Sequence, residues 1–351
     1  SDKPKIAPEK IKEISEICSG EETTESRLIA LAAWMRENYG STMIQALRTV
    51  LPIQEKIKAK EKKYICLDIS EEAGAQLLKE LEQTRFKART RLLRELLEKK
   101  RLDYTHAAKE LGTTSAVVKK FQEQGIIRIE YDEIMRTSLN TGDISGERRM
   151  PLTDEQEAAV KQIQREWKKP SPKPVLIEGV TGSGKTQVYI KLIEQTLSQG
   201  KEAIVLIPEI ALTYQTVRRF YARFGDKVSV INSRQSQGER YDQFKRAKKG
   251  EVQVMIGPRS ALFTPFASLG LIIIDEEHES SYKSESTPRY HARETAIRRA
   301  VLEHANVVMG SATPSVEAYS KAMNGEYSLV RLTTRYGSRP LPRVSIVDLR
   351  E

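Results

Sequence analysis

Cysteine is nearly absent: Cys18 and Cys66 are the whole supply in 351 residues. They stand far apart and form no CxxC pair, so neither a disulfide framework nor a zinc site is indicated. No apolar run approaches the roughly 20 residues needed to span a bilayer. The N-terminal stretch SDKPKIAPEK lacks the apolar core of a secretory signal. The expected compartment is the cytoplasm, with no membrane partner, and internal repeats are missing too. Charge, by contrast, is plentiful: 58 Lys and Arg face 48 Asp and Glu, a net +10. The excess is uneven, with 28 basic to 25 acidic residues in 1–150 and 30 to 23 in 151–351. A basic surface suits a polyanion such as nucleic acid, although many proteins are basic for no specific reason. This length predicts two or three domains.

The first part reads as helical. Glu25–Tyr39 places Leu28, Ile29, Leu31, Ala32, Trp34 and Met35 at helix-compatible spacings before Gly40, and Met43–Leu51 is a second short helix stopped by Pro52. Residues 54–63 (QEKIKAKEKK) read as a charged linker, which gives a helical segment and linker over 1–63. Four helical stretches follow, Glu72–Leu81, Phe86–Leu97, Tyr104–Leu111 and Thr114–Gln124, and then the alternating strand Ile126–Tyr131. Two short helices around Leu111-Gly112-Thr113 and then a strand make the pattern of a winged helix-turn-helix, assigned to 64–139. Lys119 and Lys120 fall on the second helix, where a reader helix would meet DNA; a pure spacer role is the alternative. The polar stretch Asn140–Arg149 marks a boundary. Beyond it, in 150–351, apolar strands alternate with longer helices: Val175–Ile177, Ala203–Ile207, Val228–Ile231, Val252–Ile256, Leu271–Ile274 and Val307–Met309. That alternation predicts an α/β fold with a doubly wound parallel sheet.

The strongest chemical signal is Gly179-Val-Thr-Gly-Ser-Gly-Lys-Thr186, between a strand and a helix over Gln187–Leu197. This is the P-loop pattern in its required context, so the sheet is expected to be RecA-like. Gly179, Thr181, Gly182, Ser183 and Gly184 would turn backbone N–H groups toward phosphate at a helix N-terminus. Lys185 would add a point charge, and the Thr186 hydroxyl would ligate Mg²⁺. The partner half is Leu271-Ile-Ile-Ile-Asp275-Glu276-Glu277-His278. Asp275 at a strand end would hold Mg²⁺ through its water shell, and Glu276 would orient and deprotonate an attacking water. Together the two halves predict an ATPase with ATP and Mg²⁺ as cofactors. Gln156, ahead of the first strand, suits the adenine edge. Ser311 and Thr313 of Gly310-Ser-Ala-Thr-Pro314 could sense a γ-phosphate. Arg259, in Gly257-Pro-Arg-Ser-Ala-Leu-Phe263, could meet a DNA backbone. Between the acidic motif and that turn, Tyr282 and Tyr290 could stack on bases while Arg289 and Arg293 neutralise phosphates. A solvent loop, with His291 capping or packing, is the other reading.

This order of motifs is that of superfamily 2 helicases. The stretches EGVTGSGKT, PEIALT, RSALFTPF, LGLIIIDEEHESSYK, PRYHARETA, GSATPSVEAY and RPLPRVSIVDLR resemble the primosomal replication-restart helicases, densely over 151–351 and less specifically upstream. The resemblance implies a 3′→5′ DNA translocase that recognises forked and single-stranded DNA. It further implies primosome proteins and single-stranded DNA-binding protein as partners, and a loop from His278 through Arg293 that couples DNA contact to hydrolysis. Family members usually carry histidine where this chain has Asn232, and often threonine at Pro258. They also carry an N-terminal 3′-end-binding domain, of which residues 1–55 would supply trailing helices. Their second motor lobe, with an arginine finger and a zinc insert, is not expected in this sequence, so zinc is not expected here and turnover would be poor. The competing readings are a nucleotide-regulated DNA- or protein-binding module without turnover, and another superfamily 2 DNA translocase. An intact Glu276 argues against the first, and PRYHARETA and RPLPRVSIVDLR against the second.

Overall fold

The computed structural model describes residues 24–51, 60–83, 86–134 and 151–335. The expected boundary over 140–149 and the RPLPRVSIVDLR stretch lie outside the described residues. The chain forms two compact units, one of 1–53, 144–232 and 246–351 and the other of 54–143 with 233–245.

In the first unit, α1 (Thr24–Asn38) buries Leu28, Leu31, Ala32 and Met35, a stripe at three- and four-residue spacing. It packs on α2 (Met43–Val50). Thr42 opens α2 with a reciprocal cap: its hydroxyl accepts from Gln45 N at 3.3 Å, and Gln45 Oε1 accepts from Thr42 N at 2.9 Å.

The second unit has β1 (Lys60–Leu67), α3 (Glu71–Glu82), α4 (Lys87–Lys99), β2 (Arg101–Asp103), α5 (Tyr104–Lys109), α6 (Ser115–Glu123) and β3 (Ile127–Ile134). Its antiparallel sheet runs β2-β1-β3. Ile65, Leu92, Leu93, Leu96, Leu102, Val118 and Phe121 form its core. α5 leads through Gly112 to α6, on which Lys119 and Lys120 are exposed. The linker expected over 54–63 needs correction at its end, because Lys60–Lys63 pair with Tyr131–Ile134 as the start of β1. The lysines of that run hid a strand whose pairing is supplied by a segment some 70 residues away.

The rest of the first unit comprises α7 (Asp154–Trp167), β4 (Val175–Gly179), α8 (Lys185–Ser198), β5 (Glu202–Leu206), α9 (Tyr214–Phe224) and β6 (Val228–Val230). It continues with β7 (Val254–Gly257), β8 (Leu269–Asp275), α11 (Ala292–Glu303), β9 (Asn306–Ser311), α12 (Val316–Met323) and β10 (Ser328–Leu332); α10 (Gln237–Lys248) lies between β6 and β7 in sequence. The seven strands run β10-β4-β9-β8-β5-β7-β6, all pairings parallel. Central strands are buried along their length, as apolar runs without alternation require. β8 sits mid-sheet, so its acidic end reaches the edge where β4 delivers the P-loop. β10 was not foreseen. It closes the sheet against β4, and the Asn324-Gly325 turn ahead of its short SLVRL segment was the available signal. α1 packs against α11 of this same unit.

Candidate active site

The site grows from two strand ends. β4 stops at Gly179, the loop turns through Gly182 and Gly184, and α8 begins at Lys185. Gly184 has φ +83°, and a Cβ there would stand 2.3 Å from Gln156 Nε2, so conformation and space both require glycine. Ser183 is buried, Thr186 half-buried and Thr181 exposed. Lys185, 9% exposed, donates from Nζ to Gly179 O at 2.9 Å and stands 3.8 Å from Glu276 Oε1. The structure thus brings P-loop and acidic motif together.

β8 ends at Asp275. Burial first, and the neighbouring Glu276 charge second, push its carboxyl up to about 6. Tyr189, one turn into α8 from Lys185, donates its hydroxyl to Asp275 Oδ1 at 3.0 Å. Burial and the same carboxylate push the Tyr189 phenol well above its usual range, so it stays a donor. The phenol lies against Gly310 of β9, where a Cβ would meet the hydroxyl at 1.8 Å. Glu276 adopts φ +46°, in the left-handed region that non-glycine residues seldom enter. Its other carboxylate oxygen is 3.7 Å from His278 Nδ1, and that nitrogen is 2.7 Å from Ser311 Oγ. Ser311 Oγ also accepts from Thr313 N at 2.9 Å, while the Thr313 side chain is exposed. His278 therefore links the acidic motif to the GSAT turn.

Several expected roles are corrected. Gln156 is buried and its amide is engaged internally: Oε1 accepts from Thr153 N at 3.1 Å and Nε2 donates to Ser183 O at 2.8 Å. It braces the P-loop from the first turn of α7 and does not present a free amide to an adenine. Tyr282 and Tyr290 are 1% and 4% exposed and offer no open face for stacking. The Tyr282 hydroxyl reaches Asp275 O at 2.6 Å and Leu206 O at 3.0 Å, and Tyr290 packs edge-on to Phe263 with centroids 5.4 Å apart. Apolar ring area is better hidden than left in water, and these rings have core to enter. Arg293 is also buried, paired with Glu277 at 2.9 Å and not turned to a phosphate. Arg289 alone of the four is exposed. Arg259, half-buried, donates from Nη1 to Ser281 O and Lys283 O, each at 2.8 Å, and so ties its turn to the loop after the acidic motif. Tyr189, Glu277 and Ser315 were missed because their partners come from distant segments. The position of Tyr189 four residues after Lys185, on one helix face, was the available signal.

Donors suited to Mg²⁺ are present, a hydroxyl on Thr186 and a carboxylate on Asp275. A cation that keeps much of its water needs few protein ligands. The orientation of Asp275 by Tyr189 is the second-layer support such a ligand requires.

A family model described as DEAD/DEAH box helicase matches residues 153–322, and one described as 3′DNA-binding domain (3′BD) of PriA matches residues 1–52. "Replication restart protein PriA" of Bacillus subtilis is 48% identical over 243 residues, 69% of this chain and 30% of that protein. The Chlamydia muridarum protein of the same name is 35% identical over 337 residues, 93% of this chain and 44% of that protein. That of Haemophilus influenzae is 38% identical over 288 residues, 80% and 38% of the respective chains. The chain thus spans less than half the length of these relatives. Among solved structures, RecG bound to a three-way DNA junction is 23% identical, with a TM-score of 0.39 over 53% of this chain and 24% of that one.

Proposed function

Since the chain belongs to the PriA family of replication restart helicases, we propose that it carries the ATP-binding lobe of a 3′→5′ DNA translocase that acts on forked and single-stranded DNA. The observation that carries this reading is the approach of Lys185 to Glu276 beside Asp275, at the ends of β4 and β8, the two strands that flank β9. Successive N–H groups at the start of α8 receive the phosphates, and Lys185 exchanges its contact with Gly179 O for the β- and γ-oxygens. Thr186 and Asp275 hold Mg²⁺, which when bound neutralises charge on the triphosphate. Glu276 accepts a proton from the attacking water as its oxygen bonds to the γ-phosphorus. The β–γ bridging oxygen leaves with the bond's electron pair, giving ADP and phosphate.

His278 and Ser311 report the change at Glu276 to the GSAT turn, and exposed Arg289 with Arg259 face the DNA strand. Residues 1–52 belong to the 3′-end-binding element, and the winged helix offers Lys119 and Lys120 to a duplex or to a partner. Primosome proteins and single-stranded DNA-binding protein are the proposed protein partners, and the cytoplasm the compartment. Among the described residues no helix is long and apolar enough to cross a membrane.

The test is binding of a fluorescent ATP analogue, together with ATP hydrolysis with and without forked DNA. Lys185→Ala removes a charge-assisted contact and should weaken nucleotide binding by roughly 10-fold or more. Glu276→Gln should keep binding and abolish turnover. Equal nucleotide affinity in wild type and Lys185→Ala would sink the proposal. Turnover unaffected by Glu276→Gln would remove Glu276 as the base.

A further inference from the structure

Glu277 follows Glu276 in sequence yet has different company. It is 1% exposed, and its carboxylate gathers two other chain segments. Oε1 accepts from Ser315 N at 2.6 Å, and Oε2 accepts from Arg293 Nη1 at 2.9 Å and from the Ser315 hydroxyl at 3.0 Å. Arg293 Nη1 also donates to Ser315 Oγ at 2.7 Å, and that oxygen caps α12 by accepting from Ala318 N at 3.2 Å. Arg293 stands in the first turn of α11, directly after the loop 279–291. Ser315 lies two residues beyond Thr313 of the GSAT turn. One buried carboxylate therefore ties together the end of β8, the exit of the loop and the start of α12.

From this cluster, and resting on the nucleotide-site reading above, we propose that Glu277 is a positioning residue through which nucleotide and DNA binding influence each other. Buried ion pairs seldom add net stability over apolar packing of the same volume, so this one supplies a fixed geometry. The Glu276 backbone is held in its φ +46° conformation from both sides. On one side Tyr282 bonds Asp275 O; on the other, Glu277 N donates to Gly310 O at 3.1 Å and its carboxylate is locked. The loop cannot move relative to β8 unless Arg293 carries the cluster along or leaves it. Arg259 extends the connection, since its two carbonyl partners, Ser281 and Lys283, lie in that same loop. A shift at Glu276 on phosphate binding therefore reaches Arg259, and a strand pulling on Arg259 reaches Glu276. Coupling of this kind is reciprocal and is read from binding alone, without turnover.

The experiment measures affinity for a labelled oligothymidylate, without nucleotide and with a saturating non-hydrolysable ATP analogue plus Mg²⁺. Wild type, Glu277→Gln and Ser315→Ala are compared, with melting curves of each. In wild type the nucleotide should change DNA affinity by at least roughly 5-fold, the lower end of usual couplings. In Glu277→Gln that change should collapse toward unity, and in Ser315→Ala, which loses the hydroxyl bridging Arg293 and Glu277 but keeps their pair, it should shrink, while nucleotide affinity stays within about 2-fold. A role confined to holding the fold would lower the melting temperature and leave the ratio intact, and that outcome overturns the proposal. So does a wild type with no nucleotide effect. If Glu277→Gln does not fold, Ser315→Ala decides alone, because it keeps the backbone N–H bond to Glu277. Failure of the wild type to bind the analogue would defeat the site reading itself, a result separate from an unchanged ratio.

Discussion

Two glycines of the site show how a missing side chain can position a present one. Gly184 leaves space that Gln156 Nε2 enters, and Gly310 leaves space for the Tyr189 phenol to stand beside Asp275. Gly310→Ala should cost about 1–3 kcal/mol, the usual penalty for an overpacked core, read as a lower melting temperature. The clash is with the hydroxyl oxygen at 1.8 Å, while the ring carbon behind it is at 2.9 Å. The double variant with Tyr189→Phe should therefore lose less than the two single variants together. Additive losses would show that the phenol is not the atom in the way. None of this is visible at the level of residue type, because GSAT reads as a turn motif whether or not a tyrosine from α8 lies over its glycine.

Elements are joined here by buried polar side chains as much as by apolar faces. Arg299 of α11, 1% exposed, donates to Leu262 O, to Thr264 O at 2.8 Å and to Glu303 Oε1 at 2.7 Å. It thereby fixes the Arg259–Phe263 turn beneath α11. Burial lowers the tendency of Arg299 to hold its proton, and Glu303 opposes that. Glu303→Ala leaves a buried guanidinium without its counter-charge, and breaking such a pair costs about 3–5 kcal/mol. The denaturant midpoint should fall accordingly; a midpoint that stays put would mean that the two carbonyls suffice. Helix α11 buries two arginines, Arg293 and Arg299, which the sequence did not signal. Its sequence gives them the look of a solvated face, and only the packing of α11 on β8 and on the turn reverses that.

For the molecule as a whole, the net charge of +10 becomes meaningful beside the family assignment. Binding to single strands should weaken as salt rises, with a log–log slope of about −0.7 for each phosphate neutralised. A slope of several units is expected, and a flat response would contradict a backbone-reading surface. Arg289→Ala should reduce the slope by less than about one unit, the share of a single phosphate contact.

The sequence by itself determined the sheet class, the P-loop, the acidic strand end and their family. Each of these depends on local order: apolar runs, glycines at fixed spacing, and an acid at a strand terminus. Tertiary structure alone decided which charged and aromatic residues are taken up by the fold. Tyr282, Tyr290, Arg293 and Gln156 look like contact residues in the chain, and all four are buried with internal partners. The physical reason is that desolvating a polar or aromatic group is acceptable only when a partner waits for it. Those partners, on β5 and β8, in the Arg259–Phe263 turn, at Glu277 and Ser315 and in the P-loop, are brought near by folding.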